Sequence, residues 1–281
     1  MERPAKVGLI AGGGQFPILF CRAAQKKGLR VVVCALEGEA DSQLAQAADE
    51  LHWFKLGQVG RIISVFHQAG VDQAAMAGQV TKTRLFSRSF RPDLKFLSLL
   101  PRLKNAHDDA GLRVLAEAFE EEGIAIQPST LFLPELHLPP GLLSRRRPTR
   151  RERKDAEYGF PLAKELGAFD IGQCIVVRSR AVLAVEAIEG TDEAILRGGR
   201  LGGGRAVVIK VTKPGQDLRF DLPAVGVRTV ERMIESGCSA LIVEAGGTIC
   251  FDREEMIDLA NRRDICVLAL KDDPARRKAS S

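Results

Sequence analysis

A chain of 281 residues is long enough for one large domain or, as we expect, for two domains that each bury their own core. Hydrophobic residues make up 45% of it and charged residues 27%, which are ordinary globular values and exclude a disordered or collagen-like chain. The net charge of +5 suits an anionic substrate or a membrane surface, while the absence of an RNP-type aromatic pattern or zinc-finger spacing in the sequence argues against nucleic acid as a partner.

The first half of the chain alternates short β-branched runs with helical stretches, a pattern typical of a parallel sheet covered by helices. We predict strands over residues 6–11, 30–35, 51–54, 73–77 and 124–126, and helices over 16–27 and 59–69. The α/β pattern therefore predicts an N-terminal Rossmann-like parallel-sheet domain, residues 1–133.

Three consecutive glycines, Gly12 to Gly14, lie where the first predicted strand ends and the first helix begins. Free N–H groups at a helix N-terminus, together with glycines that carry no side chain, let phosphate oxygens approach closely, so we predict a phosphate site. A tight strand-to-helix turn without a ligand is the alternative.

A dinucleotide dehydrogenase is a second alternative for this turn. Its motif requires a third glycine where this chain has Pro17, although Glu37 near the end of the second strand stands where a ribose-binding acid would. Pro17 suits the first turn of a helix but not the close helix-to-strand packing that the third glycine allows.

The stretch from residue 84 to 104 mixes basic residues with apolar ones, among them Phe86, Phe90 and Phe96, and holds a single acid, Asp93. This mixture suits a surface that meets anionic lipid and acyl chains. A covered amphipathic helix of the first domain explains the same periodicity.

Residues 134–154 combine prolines at 134, 139 and 140 with six arginines and Lys154, and we interpret them as a Pro/Arg-rich linker. Beyond it we predict a C-terminal α/β domain, residues 155–281. Its predicted helices cover 155–166, 225–235 and 254–261, and its predicted strands cover 174–177, 181–187, 206–211, 240–244 and 265–270. The hairpin-length turn after residue 177 favours a mixed sheet.

Carboxylates cluster around the turn at Gly190, where Glu186, Glu189 and Asp192 precede or open a predicted helix. Carboxylate and hydroxyl oxygens at a strand end suit a hard cation such as Mg²⁺. Helix N-capping is the alternative explanation for Thr191 and Asp192.

Two lysines, Lys210 and Lys213, flank the end of a predicted strand, and Asp221 follows in a loop between Phe220 and Leu222-Pro223. The lysines suit phosphate charge, and an acid that its loop holds in place suits a metal or an oriented water. The chain has no G-x-S-x-G, Walker or H-E-x-x-H motif, so serine-hydrolase, NTPase and zinc-protease chemistry has no support.

Several segments, in the same order along nearly the whole chain, resemble the LpxI-type UDP-2,3-diacylglucosamine pyrophosphatases. They are GLIAGGGQFP (8–17), AGQVTK (77–82), the 104–115 stretch with Asp108-Asp109, DIGQ (170–173), the AVEAIEGTDEAI run that ends at 195, VTKPGQD (211–217) and FDLPAVGVRTV (220–230). Two departures are Gln79, where Asn is expected, and the Arg-rich stretch 144–154.

The resemblance implies magnesium-dependent hydrolysis of UDP-2,3-diacylglucosamine to 2,3-diacylglucosamine 1-phosphate (lipid X) and UMP in lipid A synthesis, with the active site between two domains. It implies a divalent cation, Mg²⁺ or one such as Mn²⁺, as the cofactor. It places the key acid of the family at Asp221 and the phosphate-binding glycines at Gly12, Gly13 and Gly14. Residues 1–133 are accordingly expected to bind the phosphate or nucleotide sugar, and residues 155–281 to form the catalytic domain.

The expected site falls into three groups. The predicted catalytic residues are Asp221, Lys213 and Asp192, and the predicted metal ligands are Asp221, Glu189 and Asp192. The predicted substrate-binding residues are Gly12, Gly13, Gly14, Gln15, Gly78, Gln79, Lys104, Asp109, Glu186, Gly190, Thr191 and Lys210.

The six cysteines are scattered, most of them inside apolar runs, and are expected to be buried reduced thiols in a reducing compartment. No apolar run reaches the roughly 18 residues that a membrane span needs, and we expect no signal peptide. The expected location is cytoplasmic, peripherally associated with the inner membrane. The expected partners are the lipid-linked nucleotide sugar and the membrane surface, with a homodimer left open.

Overall fold

The computed structural model describes residues 5–80, 90–103, 108–219 and 222–272, with only the backbone for 108–110. These residues form two compact units. Unit 1 holds residues 5–134 together with 217–219, and unit 2 holds residues 135–216 and 222–272. Each unit has its own sheet and helices, so the predicted α/β class is confirmed.

The sheet of unit 1 is entirely parallel and confirms the predicted Rossmann-like sheet. Its strands are β1 (Lys6–Ala11), β2 (Arg30–Leu36), β3 (Glu50–Phe54), β4 (Gln73–Ala77) and β5 (Ala125–Gln127). Their spatial order is β3-β2-β1-β4-β5, so the chain builds outwards from β1 and then crosses to its other side. The carboxyl ends of β1 and β4 therefore lie side by side at the switch point where open α/β sheets bind ligands.

Helices cover both faces of this sheet because alternate residues of each strand point to opposite sides. The helices are α1 (Phe16–Lys26), α2 (Leu44–Ala47), α3 (Val59–Ala69), α4 (Leu94–Leu103) and α5 (Asp108–Glu120). Val31 and Val33 of β2 pack in one apolar cluster with Phe20 of α1. Val32 packs in the other, with Phe66 of α3.

The described part of the basic and apolar stretch, residues 90–103, is an amphipathic helix with its preceding loop, and the helix face that carries Phe96 and Leu99 is covered. Phe96 is only 9% exposed and its ring lies 5.3 Å from that of Phe90, with both in the apolar cluster of α3. Lys95 Nζ lies 2.7 Å from Glu122 Oε1, just after α5. The structure thus buries Phe96 in the core and packs Phe90 against it, as the alternative interpretation required, and Phe86 lies outside the described residues.

Unit 2 is built on a six-stranded mixed sheet, as predicted. Its strands are β6 (Gly141–Leu142), β7 (Cys174–Arg178), β8 (Ala181–Val185), β9 (Val207–Lys210), β11 (Ala240–Glu244) and β13 (Cys266–Leu270), in the order β6-β13-β11-β9-β7-β8. Strands β9, β11 and β13 run parallel, whereas β6, β7 and β8 pair antiparallel to their neighbours. The carboxyl ends of β9 and β11 and the start of β7 therefore meet at one edge of the sheet.

Four helices and a small second sheet complete this unit. The helices are α6 (Arg150–Ala168), α7 (Thr191–Gly202), α8 (Val227–Ser236) and α9 (Arg253–Arg262). The strands β10 (Ala224–Val225) and β12 (Ile249–Cys250) pair in parallel outside the main sheet.

Most of the predicted linker, residues 135–154, belongs to the fold of unit 2. Leu142 of β6 pairs with Leu268 of β13, and the Arg146 guanidinium donates two hydrogen bonds to the Glu152 carboxylate. Helix α6 begins at Arg150, earlier than the predicted 155, because Thr149 and Glu152 form a capping box. The basic charge that suggested a solvated linker is in part neutralised inside the unit.

The segment 217–219 belongs to unit 1, although the sequence predicted a C-terminal domain without interruption. The Ser129 N–H donates to the Arg219 carbonyl oxygen at 2.8 Å, and the Arg219 guanidinium lies 2.6 Å from Glu120 Oε1. These contacts join residues about ninety positions apart in sequence, so a local sequence pattern cannot predict them.

The six cysteines are free and buried, as predicted. Over the described ranges, no helix combines the length and the apolar character that crossing a bilayer requires.

Candidate functional site

The glycine turn after β1 is joined to the turn after β4 by backbone hydrogen bonds. The Gly12 N–H donates to the Ala77 carbonyl at 2.8 Å, and the Gly13 N–H donates to the Gln79 carbonyl at 2.8 Å. Gln79 N–H donates back to the Gly13 carbonyl at 3.0 Å. Because β4 lies next to β1, the N–H groups of Gly12 and Gly13 are engaged between the two turns, and the phosphate site at this turn stays a prediction.

Close packing of the two turns explains two of their glycines. A Cβ on Gly12 would lie 2.5 Å from the Gln79 carbonyl oxygen, and a Cβ on Gly78 would lie 2.7 Å from the Gly13 carbonyl oxygen. Gly78 also has a φ of +95°, a left-handed conformation that favours glycine. Tight turn geometry therefore accounts for Gly12 and Gly78 without a ligand.

Gly14 is the exposed member of the turn and has a φ of +86° with open space where its Cβ would be. Among the described residues its N–H has no acceptor. Gln15, also exposed, is the N-cap residue of α1, and Pro17 in the first turn supplies no N–H. At this switch point the Gly14 amide is a group of the predicted phosphate site that, among the described residues, remains open to a ligand.

Glu37, the acid required by the dehydrogenase alternative, follows β2 directly and is exposed. Its N–H donates to the Phe54 carbonyl at 2.8 Å.

In unit 2 the structure brings together three predicted substrate-binding residues from separate elements. Lys210, the last residue of β9, donates from Nζ to Thr191 Oγ1 at 3.1 Å. The Thr191 hydroxyl in turn donates to Glu186 Oε1 at 2.6 Å. The result is a hydrogen-bonded chain from an ammonium through a hydroxyl to a carboxylate, at the edge where β8 and β9 end.

This geometry decides the role of Thr191. The N-cap of α7 is Gly190, whose φ is 84°, and no side chain caps the helix. Thr191 is the first helical residue and uses its hydroxyl on Glu186 and Lys210. The N-capping alternative is therefore wrong, both for Thr191 and for Asp192.

The ammonium of Lys210 is buried, and the described part of the chain gives it no acidic partner. Lys210 is 7% exposed, and its second described hydrogen bond goes to the Ala224 carbonyl oxygen at 2.9 Å. Within the described residues no carboxylate oxygen lies within 4.0 Å of it. Because a buried charge without a counter-charge is costly, this position suits an anionic ligand.

Lys213, three residues further on, is held by a carboxylate. Its Nζ lies 2.5 Å from Asp170 Oδ1, and its backbone N–H donates to Gln216 Oε1 at 2.9 Å. Asp170, in the DIGQ segment, has a φ of 57°. The two lysines therefore differ among the described residues, because Lys213 has a close carboxylate there and Lys210 has none.

Two of the three predicted metal ligands are engaged by arginines. Glu189 Oε1 lies 2.6 Å from Arg197 Nη2, and Asp192 Oδ2 lies 2.5 Å from Arg228 Nε. The backbone N–H of Glu189 and the Arg197 guanidinium hold the pKa of the Glu189 carboxyl below its usual value. In the part of the chain that the structure describes, no three His, Cys, Asp or Glu side chains are placed to hold a metal ion.

Three further predicted residues are not described at the level of their side chains. Asp221 and Lys104 lie outside the described residues, and of Asp109, in α5, only the backbone is described.

Sequence reasoning did not single out Lys164 and Glu244, which form a buried ion pair at the same edge of the unit 2 sheet, 2.8 Å apart. A signal for them was present, because Lys164 follows Phe160 by four residues on the apolar face of a helix and Glu244 ends an otherwise apolar strand. The Gln173 backbone was also missed, and its N–H donates to Glu186 Oε2 at 3.3 Å.

Comparisons with known proteins cover nearly the whole chain. The LpxI N-terminal domain family matches residues 6–136, and the LpxI C-terminal domain family matches residues 139–268. The UDP-2,3-diacylglucosamine pyrophosphatase LpxI of Caulobacter vibrioides is 35% identical over 285 aligned positions, which cover 97% of this chain and 99% of that protein.

Similarities to solved structures are weak. The biotin carboxylase domain of the Hydrogenobacter thermophilus 2-oxoglutarate carboxylase is 18% identical, with a TM-score of 0.28 over 64% of this chain and 36% of that one. The biotin carboxylase subunit of a pyruvate carboxylase is 18% identical, with a TM-score of 0.27 over 72% of this chain and 42% of that one. Structural similarity at this level does not support any inference about function.

The two domain families follow one another along the chain in the order of its two units, and the curated relative matches it from end to end. On these matches the chain belongs to the LpxI family.

Proposed function

We propose that this chain is an enzyme that hydrolyses the pyrophosphate bond of UDP-2,3-diacylglucosamine, releasing 2,3-diacylglucosamine 1-phosphate and UMP for lipid A biosynthesis. The observation that carries the proposal is the 35% identity over 97% of the chain to a protein named for that reaction. The buried Lys210 ammonium, which has no carboxylate within 4.0 Å in the described residues, supports an anionic substrate.

The reaction adds one water across the P–O–P bridge. The water oxygen bonds to one phosphorus while the bridging oxygen leaves with the other, and the two protons of the water are shared between product phosphates and solvent. Such a reaction depends on charge stabilisation and on an aligned water more than on a covalent nucleophile.

Residues of unit 2 are suited to the charge stabilisation. Two hydrogen bonds fix the ammonium of Lys210. Its third N–H would therefore donate to a phosphate oxygen of the substrate without further loss of side-chain freedom. Lys213, 18% exposed, is steadied by Asp170 and would add positive charge to the same strand end. Glu186 orients the Thr191 hydroxyl, which leaves that oxygen as an acceptor for Lys210.

Asp221 is the proposed key acid, on the family resemblance alone. It stands three residues before Ala224, whose carbonyl accepts a hydrogen bond from Lys210. This hydrogen bond joins the DLPA segment to the Lys210 ammonium and supports a shared role for Asp221 and Lys210. Asp221 would align the attacking water or hold a cation.

In unit 1, we propose that the exposed Gly14 N–H, at the start of α1, takes part in phosphate binding. Gly12, Gly13, Gly78 and Gln79 would act by holding that turn in place.

A divalent cation, Mg²⁺ or Mn²⁺, is proposed as the cofactor from the resemblance. It would supply charge neutralisation on the phosphate oxygens. Glu189 and Asp192 as they stand are occupied by arginines and do not fit as ligands, so we assign no step to them. Turnover measured in excess chelator, and again after Mg²⁺ is restored, tests the requirement, and full turnover in chelator would contradict it.

Peripheral association with the inner membrane, and with it a cytoplasmic location, is also a proposal. Leu94 and Leu97 of α4 are 86% and 45% exposed and support it. Lys95 and Arg102 are paired with acids at the end of α5 and beyond it, which leaves less free positive charge on α4 than the sequence suggested. Co-sedimentation with anionic vesicles, with Leu94→Glu as the comparison, tests this.

The decisive test of the reaction is incubation of the purified protein with the diacyl UDP-sugar and detection of UMP by chromatography. The same purification from cells that do not express the protein controls for a contaminating hydrolase. Tight binding without UMP release would instead indicate a nucleotide-sugar or lipid-binding protein. Nicotinamide-dependent absorbance with a hydroxy substrate would favour the dehydrogenase.

A further inference from the structure

Unit 2 contains a buried ion pair that the proposed chemistry does not use. Lys164 of α6 is 4% exposed and Glu244, at the end of β11, is 9% exposed. Lys164 Nζ lies 2.8 Å from Glu244 Oε2 and 3.6 Å from Asp272 Oδ2. Removing both charges from water is expensive, and replacing such a pair by apolar side chains is often neutral or stabilising. Stability alone is therefore a weak reason for this pair.

Both members of the pair also bind the backbone of one residue, Thr212. Lys164 Nζ donates to the Thr212 carbonyl oxygen at 2.7 Å. The Thr212 N–H donates to Glu244 Oε2 at 2.8 Å. Each backbone polar group of Thr212 is thus held by a charged side chain, and hydrogen bonds to charged groups are stronger than neutral ones.

Thr212 lies between the two lysines of the candidate site. Lys210 stands two residues before it and Lys213 directly after it, so the peptide that the ion pair holds carries the positive charge of this strand end.

The same helix makes a second contact with this segment. A Cβ on Gly167, one turn after Lys164, would lie 3.3 Å from Lys213 Cα, so the helix and the segment are in close contact there. Asp170, just beyond the end of α6, pairs with Lys213 Nζ. Lys164, Gly167 and Asp170 therefore approach Thr212 and Lys213 from one side.

We infer that Lys164 and Glu244 are positioning residues for the reaction, since they hold the Thr212 backbone so that Lys210 and Lys213 face the pyrophosphate. The inference rests on the proposed function and adds two residues to it. Misplacement by about 1 Å of a group that contacts the reacting atoms lowers the rate on the order of a hundredfold. Loss of the hydrogen bonds to the Thr212 backbone therefore reduces turnover, even though neither Lys164 nor Glu244 touches the substrate.

The test compares two full-length variants with the parent. Glu244→Gln keeps the shape and one acceptor oxygen but removes the charge. Lys164→Met combined with Glu244→Leu removes both charges, so that neither is left buried and unpaired. Urea unfolding, kcat and KM for UMP release, and amide hydrogen exchange of the peptide that covers residues 207–216 are measured for each.

The matched control is Glu152→Gln. Glu152 also lies on α6 and is buried in an ion pair, with Arg146 at 2.8 Å, but Arg146 binds the Ser239 carbonyl at the opposite end of β11 from Glu244. This variant disturbs a buried charge of the same helix without contact to Thr212.

We expect kcat to fall about tenfold or more in both test variants, with KM changed less than threefold and faster exchange over 207–216. The control is expected to lose stability but to keep kcat and the exchange of that peptide. Parental kcat in both test variants overturns the inference, as does an equal fall of kcat in the control or parental exchange of the peptide. If the parent releases no UMP, the proposed function fails, and the exchange measurement still decides whether the pair holds the segment.

Discussion

Lys210 Nζ lies 3.1 Å from Thr191 Oγ1, and this hydrogen bond joins the last residue of β9 to the first residue of α7. It brings the EGTD segment of the family resemblance to the strand end that directly precedes the VTKPGQD segment, about twenty residues further along the chain. The same ammonium binds the Ala224 carbonyl, in the DLPA segment. Three parts of the chain thus meet at one buried positive charge.

The first prediction concerns this charge. Lys210→Met is expected to lower kcat by about a hundredfold or more, the usual effect of removing one preorganised stabiliser of transition-state charge. Folding should survive, because the variant removes a buried ammonium that has no close carboxylate in the described residues. UMP release and urea unfolding check the two statements, and a fully active Lys210→Met protein would remove Lys210 from the mechanism.

The second prediction concerns Asp221. If it holds the cation or aligns the water, Asp221→Ala should lower turnover by at least about a hundredfold while substrate binding survives. The variant is expected to retain the lipid substrate through purification, which mass spectrometry of the extracted lipid detects. Turnover within about threefold of the parent, less than about 0.7 kcal/mol, would contradict the assignment.

The third prediction separates the glycines of the β1 turn. Gly12→Ala should lower the free energy of unfolding by about 1–3 kcal/mol, because its Cβ would lie 2.5 Å from the Gln79 carbonyl oxygen. Gly13→Val, whose Cβ would lie 3.0 Å from the Glu39 carbonyl oxygen, should weaken substrate binding with less damage to the fold. Denaturant unfolding and substrate affinity are measured for both. Unchanged affinity in Gly13→Val would mean that Gly13 serves only the turn.

The fourth prediction is a pH dependence of stability. The Arg146 guanidinium, with hydrogen bonds from Ser239 and Thr149, outweighs burial and lowers the pKa of Glu152 to about 2. A lowered carboxyl pKa contributes stability above the unfolded value, and that stability is lost as pH falls from about 4.5 to about 2. Unfolding free energies from pH 6 to 2 should show a loss on the order of 3 kcal/mol in the parent, and a smaller one in Glu152→Gln. Identical profiles would show that this carboxyl is not the cause.

The fifth prediction concerns the aromatic residues before and within α4. Because Phe90 and Phe96 pack in the core of unit 1, Phe96→Ala should cost about 3–5 kcal/mol of stability. Activity per folded molecule should change equally for the diacyl substrate and for a soluble UDP-sugar analogue. A selective rise of KM for the diacyl substrate would instead show that the ring meets an acyl chain.

The sequence by itself determined the class of the fold and most of its elements. Predicted and observed bounds agree for β1, β4, α3 and β11, because buried strands and amphipathic helices leave a local periodicity in the residues themselves. The family resemblance includes Glu186 and Thr191, and the position of Lys210 at a predicted strand end indicated a role in binding phosphate charge.

Tertiary structure alone decided which of these groups are available. Gly12 and Gly13 carry amides that look free in sequence, yet their acceptors lie more than sixty residues away on the β4 side of the switch point. Glu186 and Glu189 share one turn, but only the first faces Thr191, whereas Arg197 engages the second. The hold of Lys164 and Glu244 on Thr212 also depends on a helix and two strands that meet only after the sheet has formed. Local sequence sets periodicity and turn chemistry, but hydrogen-bond partners are chosen by chain segments distant in sequence that packing brings together.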